Sequence, residues 1–153
     1  MPRIAFSFPI SDVANFFAHY DVLTQRPSDG LMRFDPKDYY FIGSTSSSPF
    51  ITNSNLKPEK TIDYEIGYNQ ILNQKKNAAI KITAFYRELR NQITSVSLTN
   101  AYPKTYQTFA NKDFGTVKGL SAEFDLRRTG GISLTANYTL QFAEGSGSNA
   151  SSG

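Results

Sequence analysis

Apolar and polar residues alternate along most of this chain. The clearest case follows Pro58. There the apolar set is Ile62, Tyr64, Ile66 and Tyr68, and the intervening set is Thr61, Asp63, Glu65, Gly67 and Asn69. Side chains on a β-strand alternate between its two faces, so this stretch is predicted to be a strand with one apolar and one charged face. Pro58 cannot donate a ladder hydrogen bond, and it is therefore expected at or before the start of that strand.

The same period of two predicts five further strands, within residues 4–8, 14–22, 80–86, 120–126 and 132–142. Short polar or glycine-containing turns are predicted to separate the members of three strand pairs. These turns are Ser11–Asp12, Asn73–Asn77 and Thr129–Gly131. The pattern therefore predicts an all-β fold, an antiparallel up-and-down meander of about six strands.

Two connections in this scheme are long. Residues 25–60 lose the alternation, and residues 93–113 are rich in β-forming residues but mixed, with Pro103 as a break. A connection as long as the first is uncommon in a compact domain unless it has a function. The aromatic cluster Tyr39, Tyr40 and Phe41 lies inside it and is the candidate ligand-binding patch.

The connections then alternate short, long, short, long, short. Outer-membrane barrels have this asymmetry, with short periplasmic turns and longer extracellular loops. The charged residues of the strands would share one face, which requires water, and a wet barrel lumen supplies it. The expected fold is therefore an open part of a transmembrane β-barrel. The alternative is an antiparallel sheet with one face on a core and the other in solvent.

Composition narrows the classes of protein. No apolar run approaches the roughly 20 residues of a membrane helix, which excludes a helical membrane protein. A mean hydropathy of −0.39 does not exclude barrel strands, because polar residues dilute their apolar half. The absence of cysteine removes disulfides and thiolate metal sites. The formal charge of +3 comes from scattered basic residues, so a nucleic-acid interface is not indicated.

Three segments carry a family resemblance. Leu-Lys-Pro-Glu-Lys-Thr at 56–61, followed by Tyr64-Glu65-x-Gly67, resembles the point where an outer loop meets a descending strand in TonB-dependent outer-membrane receptors. The opening hairpin from Pro2 to Ile10 and the stretch from Asp113 to Gly119 are similar to other parts of the same barrels. The match runs from about Pro2 to Phe142 and corresponds to the middle of the barrel, without the family's plug, TonB box and last strand.

The resemblance implies a function and a set of partners. The family imports scarce solutes such as metal chelates, oligosaccharides or peptides across the outer membrane of Gram-negative bacteria. The implied partners are outer-membrane lipid, the rest of the barrel and plug, the TonB complex reached through the plug, and the solute. Residues 1–143 would be a partial barrel and 144–153 a flexible Gly/Ser-rich tail. A small outer-membrane adhesion barrel and a secreted β-sandwich binding module remain alternatives.

The sequence gives little support for an enzyme. His19 and Asp21 share a predicted face and could form a base and its orienting acid, but no serine is linked to them by motif. The pairs Asp63/Glu65 and Glu123/Asp125 could suggest glycosidase carboxylates, although such pairs are also expected on a wet face. No phosphate-binding loop is present. The expectation is a protein that is not an enzyme and has no cofactor or metal.

Six strands cannot enclose a lumen, because the smallest membrane barrels need about eight and plugged transporters have about 22. The strands near Ile4 and Ile132 would be open edges. Unpaired backbone groups at such edges are costly in hydrocarbon, so the chain on its own is expected neither to insert nor to transport.

Overall fold

The structure is a computed structural model that describes residues 1–33, 35–38, 40, 50–73 and 75–146, and the side chains of Arg128 and Thr129 are outside the description. Its elements in chain order are β1 (Arg3–Ser11), β2 (Ala14–Gln25), α1 (Asp29–Met32), β3 (Phe50–Ile51), β4 (Glu59–Ile71), β5 (Ala78–Leu98), β6 (Tyr106–Thr129) and β7 (Ile132–Gly145). Within these ranges, no helix is long and apolar enough to cross a membrane.

The strands form one open sheet in the order β1-β2-β4-β5-β6, with β7 and β3 both paired to β6. Apart from β3, neighbours in the sheet are also neighbours in sequence, and β1 pairs antiparallel with β2. This confirms the predicted all-β antiparallel meander. The addition is β3, a two-residue strand that pairs parallel to β6. A strand of two residues has no periodicity that the sequence could reveal.

Strands β5 and β6 are longer than the alternation predicts. They contain 21 and 24 residues, and only residues 99–105 connect them. The long irregular connection expected within residues 93–113 is therefore wrong. Both strands stay in the sheet after their apolar alternation has ended. Asn91, with a φ of 58°, interrupts the regular geometry inside β5 and obscures the pattern there.

The chain divides into two compact units. Unit 1 comprises Met1–Leu23, Thr61–Glu88 and Thr116–Glu144, and unit 2 comprises Thr24–Lys60, Leu89–Gly115 and Gly145–Gly153. Strand β7 extends to Gly145, two residues into the segment expected to be a tail, and residues 147–153 lie outside the described part.

The turns of unit 1 follow from their residues. Gly130 and Gly131 have φ values of 59° and 88°, as a two-residue hairpin loop with two left-handed positions requires. In the turn between β4 and β5, the Asn77 N–H donates to Asn73 Oδ1 at 3.1 Å, and Lys76 has a φ of 53°. These local bonds close the β4–β5 hairpin without a long connection.

Side-chain contacts in unit 1 define two faces. In β1 and β2, Phe6 lies opposite Ala18, and Ser7 lies opposite Phe17. In β6 and β7, the Thr135 hydroxyl donates to Asp125 Oδ1 at 3.2 Å, so the polar positions of the two strands adjoin. Because faces alternate, the apolar positions of β7 lie on the opposite side, with those of β6. This agrees with the expectation that the polar and charged positions of these strands share one face.

We call these sides the polar face and the apolar face of unit 1. Large apolar side chains on the apolar face are 38–67% exposed. They are Ile4, Phe6, Phe8, Ile10, Tyr64, Ile66, Ile82, Tyr86, Leu120, Ile132, Leu134, Tyr138, Leu140 and Phe142. Exposed apolar surface on this scale marks an interaction surface, and hydrocarbon would satisfy it. It also excludes a β-sandwich in the described residues, because no second sheet covers this face.

Three tyrosines form a row on the apolar face. The ring centroids of Tyr20 and Tyr64 are 5.2 Å apart, and those of Tyr64 and Tyr86 are 6.1 Å apart, so the row spans β2, β4 and β5. Rows of tyrosine with an apolar ring and a polar hydroxyl are typical of the membrane–water boundary of barrels.

Candidate functional site

The aromatic patch predicted from the sequence is only partly described. Tyr39 and Phe41 lie outside the described residues. Tyr40 is 72% exposed, so its ring is accessible to a solute, but exposure alone does not identify a binding residue. The ligand-binding role of this cluster therefore remains a prediction.

The same connection contains a better-defined feature, the attachment of β3 to β6 in unit 2. Phe50 lies opposite Gln107, and Ile51 lies opposite Thr108. The Thr108 hydroxyl donates to the Ile51 carbonyl at 2.9 Å. The ring of Phe50 is stacked on that of Phe109, with centroids 5.8 Å apart. Backbone pairing, a hydroxyl and a ring contact together hold this part of the connection on β6.

Two asparagines extend the attachment. The Asn53 amide donates to the Phe109 carbonyl at 2.8 Å. Asn111 accepts from the Lys57 N–H at 2.7 Å and donates to the Lys57 carbonyl at 2.9 Å. Its amide also donates to the Asn91 carbonyl at 2.7 Å. One side chain on β6 therefore binds both the approach to β4 and the irregular residue of β5.

Sequence reasoning missed both asparagines. Asparagine is depleted in strands, so Asn111 inside a long strand is the one signal that could have been noticed. A side chain that satisfies three backbone groups explains its presence there.

The segment around α1 is held by a second set of bonds. The Asn53 N–H donates to the Leu31 carbonyl at 2.9 Å, and the Ser54 hydroxyl donates to the Met32 carbonyl at 2.7 Å. Further along, the side-chain hydrogen bond from Lys37 holds the pKa of the Asp35 carboxyl below its ordinary value. The two residues Asn53 and Ser54, which follow β3, thus bind carbonyls of α1 and hold that helix beside them.

A cavity of about 480 Å³ lies within unit 2. Residues from the end of β2 and from α1 line one side, and β4, β5 and β6 supply the rest. The lining includes Arg26, Leu31, Glu59, Thr94, Ser95 and Phe109. Glu59 is fixed because its Oε1 accepts the Ile93 N–H at 2.9 Å. The cavity thus combines a cation, an anion, three hydroxyls (those of Ser28, Thr94 and Ser95) and apolar walls, which is a composition suited to a small solute.

The polar face of unit 1 carries paired charges. Arg3 donates to Asp21 with an N–O distance of 2.7 Å, and Arg87 donates to Asp63 at 2.5 Å. The Lys81 ammonium lies 5.3 Å from the ring centroid of Phe17. Charged groups that are paired along one face suit a wet wall.

Three of the carboxylates considered as catalytic candidates have other hydrogen-bond partners in the structure. The Asp21 carboxylate accepts from Arg3 and is committed to that pair rather than to His19. Asp63 is held by Arg87, and Asp125 accepts from Thr135. Among the described residues, no group of three or more His, Asp or Glu side chains could hold a metal ion.

Two glycines on the polar face lie against phenylalanine rings. A Cβ at Gly67 would lie 2.5 Å from Phe17 Cε1, and one at Gly119 would lie 2.7 Å from Phe85 Cζ. Both distances are too short for a real contact, so a larger residue at either position would displace the ring or the neighbouring backbone, which is the Ile82 carbonyl at Gly67 and the Leu140 carbonyl at Gly119.

Comparison with known proteins agrees with this geometry. A family model described as TonB dependent receptor-like, beta-barrel matches residues 1–153. No curated protein sequence matches the chain. The outer membrane transporter YddB from Escherichia coli superimposes with a TM-score of 0.73 at 17% identity, covering 92% of this chain and 19% of that chain.

Two receptors from Pseudomonas aeruginosa are also similar. The pyoverdine outer membrane receptor FpvA gives a TM-score of 0.66 at 19% identity, covering 97% of this chain and 19% of that one. The siderophore receptor PirA gives 0.63 at 17% identity, covering 93% and 24%. The chain therefore spans between 19% and 24% of the length of these three structures, which are receptors and transporters rather than enzymes. With the family match over its whole length, this chain belongs to the TonB-dependent receptor-like β-barrels.

Proposed function

We propose that the chain forms barrel wall and an extracellular loop of an outer-membrane receptor that imports a scarce solute. The observation that carries the proposal is the exposed apolar face of unit 1, opposite a face of paired charges. A lipid-facing outer surface and a wet inner surface are what a barrel wall needs. Metal chelates, oligosaccharides and peptides are the candidate solutes.

The segment between β2 and β4 is the proposed solute-contacting loop. Long extracellular loops of barrels reach over the lumen, and binding residues concentrate on loops held by a rigid scaffold. Here β3, Asn53 and Asn111 hold the loop on long strands. The relatives' names favour metal chelates within the candidate classes, since FpvA is bound to pyoverdine and PirA is a siderophore receptor.

The proposed partners follow from the family. Lipid would contact the apolar face, the remaining barrel would pair with the edges at β1 and β7, and a plug would contact the polar face. Coupling to TonB would pass through that plug. The proposed location is the outer membrane of a Gram-negative bacterium.

Uptake by the complete receptor tests the proposal. Cells that lack the chromosomal gene would be complemented with the receptor gene that contains this segment. Uptake of labelled ferric chelates, oligosaccharides and oligopeptides would be measured with and without a proton-motive force. Energy-dependent uptake of one of these classes is expected, with the receptor in the outer-membrane fraction. Adhesion without uptake would instead favour the small adhesion barrel, and a protein found only in soluble fractions would refute both.

A further inference from the structure

The cavity of unit 2 has a composition that discriminates among the solute classes. Arg26 is exposed and lines the cavity. A guanidinium at the rim of a cavity is a donor suited to a carboxylate or phosphate.

Glu59 supplies the opposite charge. Its Oε1 is occupied by the Ile93 N–H at 2.9 Å, so the group is fixed in place, and its second oxygen remains an acceptor. A wholly anionic solute would be repelled by this carboxylate. A solute with an N–H or ammonium donor would be stabilised by it, with the hydroxyls of Thr94 and Ser95 close by in the same lining.

The remaining wall is apolar. Leu31 and Phe109 line the cavity and are partly buried, and Phe109 is supported by the stacked ring of Phe50.

From this set of groups we propose that the cavity binds a peptide-type group. Its carboxylate would pair with Arg26, its N–H or amine would donate to Glu59, and an apolar side chain would lie against Phe109. The inference rests on the proposed function and names the solute class for that same loop. A neutral oligosaccharide has no anionic group to pair with the Arg26 guanidinium. A purely anionic chelate has no N–H or ammonium group to donate to the Glu59 carboxylate. A volume of about 480 Å³ lies within the range of small-solute pockets.

Two sources could supply such a group, a free oligopeptide or the peptide portion of a metal chelate. The test uses the complete receptor and four synthetic probes measured by calorimetry. They are an apolar tripeptide, its C-terminal amide, a ferric hydroxamate chelate with a peptide backbone ending in a carboxylate, and the amide of that chelate. A neutral maltotriose is the fifth ligand and serves as the class control.

Wild-type receptor is expected to bind at least one carboxylate probe tenfold or more tightly than its amide, because the charge-assisted bond to Arg26 is lost in the amide. Arg26→Gln should abolish this preference, whereas Arg26→Lys should retain part of it. Arg33→Gln is the matched control, since Arg33 is an exposed arginine of the same connection that does not line the cavity. Preference for the tripeptide or for the chelate identifies the source, and either supports the inference.

Equal binding of carboxylate and amide probes, an unchanged preference in Arg26→Gln, or binding of maltotriose alone would overturn the inference. If energy-dependent uptake persists, these results refute only the inference about the cavity and leave the proposed function standing. Loss of uptake in the complete receptor would refute the proposed function instead, whatever the probes show. If Arg26→Gln does not reach the membrane, the Arg26→Lys and wild-type amide comparisons still decide the outcome.

Discussion

Replacing Asn111 with alanine tests whether one side chain holds the loop to the barrel strands. Alanine removes the bond accepted from the Lys57 N–H and the bonds donated to the carbonyls of Lys57 and Asn91, at 2.7, 2.9 and 2.7 Å. Each such bond contributes a net 0.5–1.5 kcal/mol, roughly. The three backbone groups are exposed enough to bind water instead. We therefore take the lower part of the total for three bonds, about 2 kcal/mol, as the loss for local opening.

Hydrogen exchange of the complete receptor measures this opening. A loss of about 2 kcal/mol lowers the protection of the Lys57 amide by roughly 30-fold, since 1.4 kcal/mol is a factor of ten. Peptides from unit 1 should keep their exchange rates, because the three bonds lie within unit 2. Asn111→Asp keeps the acceptor for the Lys57 N–H and loses both donors, so its effect should be smaller at that amide.

Asn55→Ala is the matched control for this experiment. Asn55 is an exposed residue of the same connection. Its backbone N–H donates to Asn53 Oδ1 at 2.9 Å, and alanine keeps this bond because it does not involve the Asn55 side chain. It should leave the Lys57 amide unchanged. A protection change below twofold in Asn111→Ala, or the same loss in Asn55→Ala, would refute the role assigned to Asn111.

Three further predictions concern the wall and the topology. Ala136→Arg on the apolar face should impair membrane assembly of the receptor, at a cost of about 2–4 kcal/mol at mid-bilayer, while Asn137→Arg on the polar face should not, as heat-modifiability on gels would show. Gly67→Ala should lower thermal stability by about 1–3 kcal/mol, because its Cβ would overlap the facing phenylalanine ring, whereas Gly30→Ala meets no atom within 4 Å and should be neutral. Protease added to intact cells should cleave within 25–57 and spare the turn between β4 and β5. Cleavage of that turn instead would show that the strands have the opposite orientation in the membrane.

How far the sequence predicts this fold depends on the period of two. Where alternation is strict, as in β4 and β7, the strands and their faces are predictable, because one apolar face fixes which side chains lie together. The outer parts of β5 and β6 were not predictable. Near Asn91 the left-handed backbone breaks the period, and beyond it both faces carry mixed residues.

The candidate site was less accessible to sequence reasoning. The length of the connection singled it out as a candidate site, and its aromatic cluster around Tyr40 was the patch predicted there. The groups that shape the cavity come from the end of β2, the residues that follow it, α1 and three later strands, so only the fold brings Arg26, Glu59 and Phe109 together. The bonds of Asn111 depend on a crossing chain segment that no local pattern encodes.

Spin-label accessibility along β7 tests the central claim most directly. The chain has no cysteine, so single cysteines can be introduced at consecutive positions 134–141 of the complete receptor in membranes and labelled with a nitroxide. The account predicts that labels at 134, 136, 138 and 140 collide mainly with oxygen, which partitions into lipid. Labels at 135, 137, 139 and 141 should collide mainly with a water-soluble nickel chelate. A uniform response along the strand, or the opposite alternation, would contradict a barrel wall with the apolar face toward lipid.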